Sequence, residues 1–184
     1  MDSAYWLVTK EEVGEALKID ASAHDAWLVI VIDGVSEWLE TQCNRQFKKR
    51  TFEEEVIGDN DKFVLLEQRP VISITSFVDG DGNSYTETAD DFKVGKKSGI
   101  LKLLFALSKN IVYTITYEAG FETIPGDLKM AAIELIGKLH QMREQKTWNT
   151  RARSTQAGNI TYEAKDISPT VQKVITKYQT RRVA

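Results

Sequence analysis

The chain has 184 residues, of which 42% are hydrophobic and 28% charged, a balance that supports a buried core and excludes disordered, collagen-like and disulfide-framework classes. One cysteine, Cys43, and two histidines, His24 and His140, exclude an internal disulfide and a Cys/His zinc site. The net charge of −3 hides a split: from Lys138 onward there are ten Lys/Arg against three Asp/Glu, or +7, and residues 1–137 carry −10. An acidic body with a basic tail points to a tail that docks on an acidic surface or on nucleic acid.

The longest apolar run, Ala26 to Ile32, is far too short to span a bilayer, and Met1-Asp2-Ser3 lacks the pattern of a signal peptide; the expectation is a cytosolic chain with no membrane partner. The length suggests one domain with an appendage, divided as a body over 1–144 and a polar excursion plus basic helix over 145–184.

Thr9-Lys10-Glu11-Glu12 places a Thr three residues before a Glu, which satisfies two orphan backbone donors at a helix start. Val13, Ala16 and Leu17 share a face, so this short helix ends near Lys18-Ile19-Asp20. A longer helix is predicted from about Asp25 to about Asn44, with Leu28, Ile32, Val35, Leu39 and Cys43 at three- and four-residue spacing. Its opening apolar block is wider than one stripe. Trp27, Leu28, Val31 and Trp38 therefore form a candidate apolar face, against the rest of the domain or a neighbouring subunit.

From Thr51 to Tyr117 the period changes to two, as in Ile72 to Phe77 and Ile111 to Tyr117, the pattern of half-buried strands. Gly58 to Asp61, Asp79 to Asn83 and Lys96 to Gly99 are the turns between them. Pro125 and Asp127 then introduce a third helix with a stripe of Leu128, Ala132, Leu135, Leu139 and Met142. Residues 145–167 show almost no periodicity and read as a long polar excursion. Ser168-Pro169 caps a final helix with apolar Val171, Val174, Ile175 and Tyr178, ending in Arg181-Arg182. With so few apolar positions and a long polar link, that helix is expected to be held loosely. The fold class expected is α+β: a mainly helical chain of about four helices, with an antiparallel β region inserted between the second and third.

Asp79, Asp81 and Asn83 occupy the first, third and fifth positions of a calcium-loop pattern, but Ser84 stands at the sixth, where glycine is needed, and Asp90 at the twelfth. The loop reads as a hairpin turn, and no metal site is expected. No nucleophile elbow, His-Glu-x-x-His or phosphate-binding glycine loop is present. Glu53, Glu54 and Glu55 on one strand point to alternate faces, which suits a solvated edge better than an acid/base pair. Cys43 on its apolar stripe reads as a core residue. No catalytic residue and no cofactor are expected. Basic Arg151, Arg153, Lys173, Lys177, Arg181 and Arg182, interleaved with Trp148, Tyr162 and Tyr178, are capable of phosphate neutralisation and stacking, so a nucleic-acid-binding accessory protein is the alternative reading.

Five strings carry a resemblance: Val8-Thr9-Lys10-Glu11-Glu12-Val13, Cys43-Asn44-Arg45-Gln46-Phe47, Leu66-Glu67-Gln68-Arg69-Pro70-Val71-Ile72-Ser73-Ile74, Tyr117-Glu118-Ala119-Gly120-Phe121 and Ile124-Pro125-Gly126-Asp127-Leu128-Lys129. In their order and spacing the chain resembles the head-tail connector (adaptor) proteins of tailed bacteriophages and prophages. The resemblance implies a structural protein that assembles as a ring, most simply twelvefold, under the portal. It would extend the DNA channel, receive the next neck or tail-completion protein and pass DNA without sequence-specific binding. It also implies a place at the head-tail junction of the virion after assembly in the host cytoplasm. Arg151, Arg153, Lys173, Lys177, Tyr178, Arg181 and Arg182 are then the candidate portal or subunit interface, and Trp27, Leu28, Val31 and Trp38 the candidate inter-subunit or core face.

Overall fold

The computed structural model describes residues 5–87, 89–145, 152–155, 158–161 and 167–180, the two short segments between 152 and 161 by their backbone. It divides into a helical unit, residues 1–44 with 124–184, and a β unit, residues 45–123.

In the helical unit, helix α1 (Lys10–Leu17) opens on the expected reciprocal cap: the Glu12 amide donates to Thr9 Oγ1 and the Thr9 amide to Glu12 Oε2. Lys18, in the left-handed region at φ 55°, closes it. Helix α2 (Asp25–Cys43) buries Leu28, Ile32, Val35, Leu39 and Cys43, the stripe read from the sequence, and also Ser36, whose hydroxyl accepts the Leu7 amide at 3.1 Å. Asn44 at φ 50° ends it.

Helix α3 (Gly126–Glu144) buries Leu128, Ala131, Ala132 and Ile136. The expected stripe through Leu135 and Leu139 is turned by one position, and those two are half-buried. Apolar residues at both 135 and 136 make the spacing ambiguous, and tertiary packing chooses Ile136. Helix α4 (Pro169–Tyr178) starts with the Ser168 hydroxyl accepting the Val171 amide and Pro169 in the first turn, and it buries Val171, Val174 and Ile175.

The β unit holds strands β1 (Arg50–Ile57), β2 (Phe63–Leu65), β3 (Val71–Asp79), β4 (Phe92–Gly95), β5 (Ile100–Leu103) and β6 (Val112–Ala119). They form two three-stranded antiparallel sheets, β1-β6-β3 and β2-β5-β4. Phe77, Tyr113, Ile115 and Tyr117 from the first sheet and Val64, Phe92, Leu101 and Leu103 from the second belong to one buried cluster. The unit is therefore a small sandwich, with its core between the sheets and one outer face on each. A tight turn after β1 requires Gly58, because a Cβ there would lie 2.0 Å from the Ser108 carbonyl oxygen.

Within the segment read as a polar excursion, β7 (Ala152–Thr155) and β8 (Gly158–Thr161) pair antiparallel, Ala152 opposite Thr161 and Thr155 opposite Gly158.

The expectation of a mainly helical chain is corrected: the described residues hold four helices and eight strands, an α+β fold whose β unit is built of two three-stranded antiparallel sheets. The long helices carry several turns of a 3.6-residue pattern and dominate a reading by periodicity. Strands β2, β4 and β5 are three or four residues long, at most two cycles of a period-two pattern, so they leave little trace.

Candidate assembly surfaces

The five strings that carry the family resemblance gather at two places. In the β unit, the Phe121 amide donates to the Phe47 carbonyl at 2.6 Å, the Lys49 amide to the Phe121 carbonyl, and the Gly120 amide to the Pro70 carbonyl at 2.9 Å. The Gln46 amide donates to Gln68 Oε1, and the Arg45 guanidinium donates to the Arg69 carbonyl and lies 5.6 and 5.4 Å from the rings of Phe47 and Phe121. Three segments distant in sequence thus form one backbone strap. Gly120 is required in it: φ is +112° and a Cβ would meet the Lys48 carbonyl oxygen at 2.6 Å.

In the helical unit the first and last strings meet where Lys129 of α3 pairs with Glu12 of α1. The N-terminal segment is pinned to α2 by Trp6 Nε1 donating to Asp33 Oδ1 at 3.3 Å, and Lys10 of α1 pairs with Asp25 at the start of α2.

The basic C-terminal residues are treated differently from one another. Lys173 is exposed. Lys177 Nζ donates to Asp127 Oδ2 at 2.5 Å and the Tyr178 hydroxyl to Asp127 Oδ1 at 2.9 Å, with Lys177 Nζ 4.8 Å from the Tyr178 ring centre. Asp127 stands in the first turn of α3, where the unpaired amides of a helix start favour an anion. Partial burial alone would raise its pKa; the hydrogen bonds from Lys177 and Tyr178 outweigh that and hold the carboxyl below the usual range, while Asp127 in turn pushes Lys177 up. Beyond this clamp, the Thr180 amide and hydroxyl donate to the Cys43 carbonyl at 2.9 and 3.3 Å, and the hydroxyl also reaches the Asn44 carbonyl at 2.6 Å. These bonds occupy carbonyls that the C-terminus of α2 would otherwise leave unpaired. Helix α4 is therefore seated on α2 and α3 rather than held loosely. Arg151, Arg181 and Arg182, with Trp148 and Tyr162, lie outside the described residues; Arg153 stands on β7 opposite Ile160, and its side chain also lies outside them.

On α2, Leu28 is fully buried. Trp27 packs edge-on to His140, ring centres 5.4 Å apart, with the Arg143 guanidinium 5.0 Å from its ring. Val31 and Trp38 are half-buried. One helical turn on from Trp27's neighbour Ala26, Ile30 is exposed.

The Asp79 loop is a turn. Asp79 Oδ1 accepts the Asp81 and Asn83 amides, and Oδ2 accepts Asn83 Nδ2 at 2.9 Å and the Tyr85 hydroxyl at 2.8 Å. The Asn83 side chain leads in holding its carboxyl below the usual range, and burial with the Asp79 bond pushes the Tyr85 phenol up to about 12. Among the described residues no group of three or more His, Cys, Asp or Glu side chains is placed to hold a metal ion. The Glu53-Glu54-Glu55 run splits as alternation requires. Glu54 points inward, accepts the Glu67 amide and the Tyr117 hydroxyl, and has its pKa raised by burial; Glu53 and Glu55 point out.

One surface escaped the sequence reading. On the outer face of β2-β5-β4, the register sets Phe63 beside Lys102 and Lys93, and Leu65 beside Ile100 and Gly95. Phe63, Leu65, Ile100 and Leu104 are 55, 47, 40 and 58% exposed. The available signal is the run Phe63-Val64-Leu65-Leu66, in which both alternate sets are apolar: a strand with that pattern has two faces to cover.

Against known proteins, the family model described as head completion protein matches residues 6–182. No curated protein sequence matches the chain. Among solved structures, the fold is similar to a chain of the neck of an empty GTA particle computed with C6 symmetry, with TM-score 0.66, 18% identity, and 97% of this chain and 92% of that one covered. It is similar also to a chain of the neck of a native GTA particle computed with C12 symmetry, with TM-score 0.58, 18% identity and coverage of 96% and 93%. A third, a chain of the virion of a native gene transfer agent particle, matches with TM-score 0.57, 18% identity and coverage of 87% and 80%. The chain belongs to the head completion protein family, and its role is structural, as part of a phage-type particle, rather than catalytic.

Proposed function

We propose that the chain is a head-tail connector: copies assemble as a ring, twelvefold, beneath the portal, extend the DNA channel and receive the next neck or tail-completion protein. The observation that carries this reading is the family match over nearly the whole chain, together with a fold shared with chains of two GTA necks. The charge distribution supports it. DNA that must pass without sticking is repelled by a surface that is acidic over residues 1–137, since the duplex carries a phosphate charge about every 1.7 Å of its axis.

The basic residues of 145–184 are proposed to face an acidic partner, the portal or a neighbouring copy. Lys173 is exposed for that purpose as it stands; Lys177 and Tyr178 would exchange Asp127 for the partner's acids. Assembly in the host cytoplasm agrees with a chain whose described residues include no helix long and apolar enough to cross a membrane.

The test is complementation of particles whose own copy of the gene is deleted. The proposal expects heads that package DNA, fail to join tails and leak, with the defect cured by the intact gene. Normal tailed particles from the deletion would refute it. A purified protein that binds duplex DNA in the micromolar range at about 0.15 M salt would favour the nucleic-acid-binding reading instead.

A further inference from the structure

The β unit has two outer faces, on opposite sides of one core, and they differ in character. On β2-β5-β4 the face is apolar and basic: Phe63, Leu65, Ile100 and Leu104 surround Lys102 and Lys93, and the β4–β5 turn adds exposed Lys96 and Lys97. On β1-β6-β3 the face is acidic with an apolar end: Glu53 stands opposite Thr116, Glu55 opposite Thr114, and exposed Ile57 opposite exposed Val112. Glu118 on the same face is neutralised by Lys49 at 3.1 Å. Glu53 and Glu55 have no ion-pair partner among the described residues, and neither have Lys93 and Lys102.

Four large apolar side chains gathered on so small a sheet face leave area that favours burial at about 25 cal/mol per Å². Scattered single apolar residues would need no such account. Two complementary patches on opposite sides of one unit are what a head-to-tail contact between identical copies requires, and repetition of that contact closes a ring or runs on as a filament.

We infer that the β2-β5-β4 face of one copy docks on the β1-β6-β3 face of the next, with Phe63, Leu65 and Ile100 against Ile57 and Val112, and with Lys93 and Lys102 meeting Glu53 and Glu55. The inference rests on the ring reading proposed above and names the surface that makes the ring. Charge complementarity selects a second copy as occupant: a face that carries Lys93, Lys96, Lys97 and Lys102 is matched by the acidic face that every copy already carries. These lysines also set the orientation, because stacking like faces would bring Lys93 and Lys102 against their own equivalents.

Charge reversal tests it in particles complemented with variant genes. Lys93→Glu with Lys102→Glu, and separately Glu53→Lys with Glu55→Lys, each place like charges together. Each is expected to weaken copy-to-copy association by about a hundredfold and to lower particle yield accordingly. The four substitutions combined restore opposite signs and are expected to restore assembly; a purely structural defect would not be cured in this way. All four side chains are exposed, and a thermal melt of each purified variant confirms that the β unit still folds.

Carbodiimide coupling of necks assembled from a mixture of isotopically light and heavy wild-type protein gives a second measurement without any variant. Light-heavy links joining Lys93 or Lys102 to Glu53 or Glu55 are expected. Rings that assemble normally with either pair reversed and yield no such mixed links overturn this interface and leave the ring reading standing. Necks in which the wild-type chain makes no repeated contact with its own copies overturn the ring reading itself.

Discussion

Replacing Ile175 by Ala tests whether α4 is part of the helical core. Ile175 lies in a row with Val171 and Val174, all three buried, and its carbonyl oxygen is 3.9 Å from Cys43 Sγ at the end of α2. Truncating a buried Ile to Ala removes transfer free energy and leaves a cavity, at a cost of about 2–5 kcal/mol. The better helix propensity of Ala returns at most about 0.5 kcal/mol. Against a net stability of about 5–15 kcal/mol, the loss is large. Sequence chemistry supplies the assay: the four tryptophans are Trp6, Trp27, Trp38 and Trp148, all in the helical unit. Tryptophan fluorescence during urea unfolding therefore reads this unit, and the β unit adds no tryptophan signal. The Ile175→Ala transition should move to lower urea by an amount equivalent to at least about 2 kcal/mol. Deleting residues from Ser168 onward removes three buried side chains worth about 1.5–3 kcal/mol each and should cost most of the unit's stability. A shift below about 0.5 kcal/mol for Ile175→Ala, the range of an ordinary surface substitution, would refute the seating of α4.

The Asp127 clamp predicts a pH window. A carboxyl held below its ordinary 3.8 contributes stability above that value and loses it as pH falls through its folded pKa, and a lysine raised above 10.5 contributes below that value and loses it as pH rises. The difference in urea midpoint between wild type and Asp127→Asn should be largest near neutral pH and shrink below pH 3.8; a difference independent of pH would contradict the clamp. Gly120→Ala should destabilise the β unit by about 1–3 kcal/mol or more, read by near-ultraviolet circular dichroism of Tyr85, Tyr113 and Tyr117, because φ +112° and the Lys48 carbonyl leave no room for a Cβ; an unchanged melt would contradict the strap. Millimolar calcium should leave the melting temperature unchanged, since four donors already occupy Asp79, whereas a rise of several degrees would show that the turn opens to bind it.

What was legible in the sequence is what is local. The Thr9–Glu12 cap, the Ser168–Pro169 start of α4 and the α2 stripe from Leu28 to Cys43 are each written within a few residues, and β1, β3 and β6 are eight or nine residues long, enough to alternate visibly. Strands β2 and β5 were obscured because they are short and because Phe63 to Leu66 and Ile100 to Leu101 are apolar on both alternate sets. The same feature makes the β2-β5-β4 face a candidate surface, so the signal was lost for the reason that makes it informative. Asp127 and Lys177 are 50 positions apart, and no local pattern announces a pair that exists only once α4 folds back on α3. The family strings were recognisable singly as caps and turns; the meeting of three of them in one strap through Phe47, Pro70 and Gly120 is a tertiary fact.

The claim that this head completion protein forms the ring at the head-tail junction is tested most directly by reconstructing the neck of particles assembled with it, by electron cryomicroscopy with symmetry left unimposed. The account predicts a closed ring of copies of this fold between portal and tail, twelve in number, with the β2-β5-β4 face of each against the β1-β6-β3 face of its neighbour. A neck without this chain, or the chain found in the capsid shell or along the tail, would contradict it.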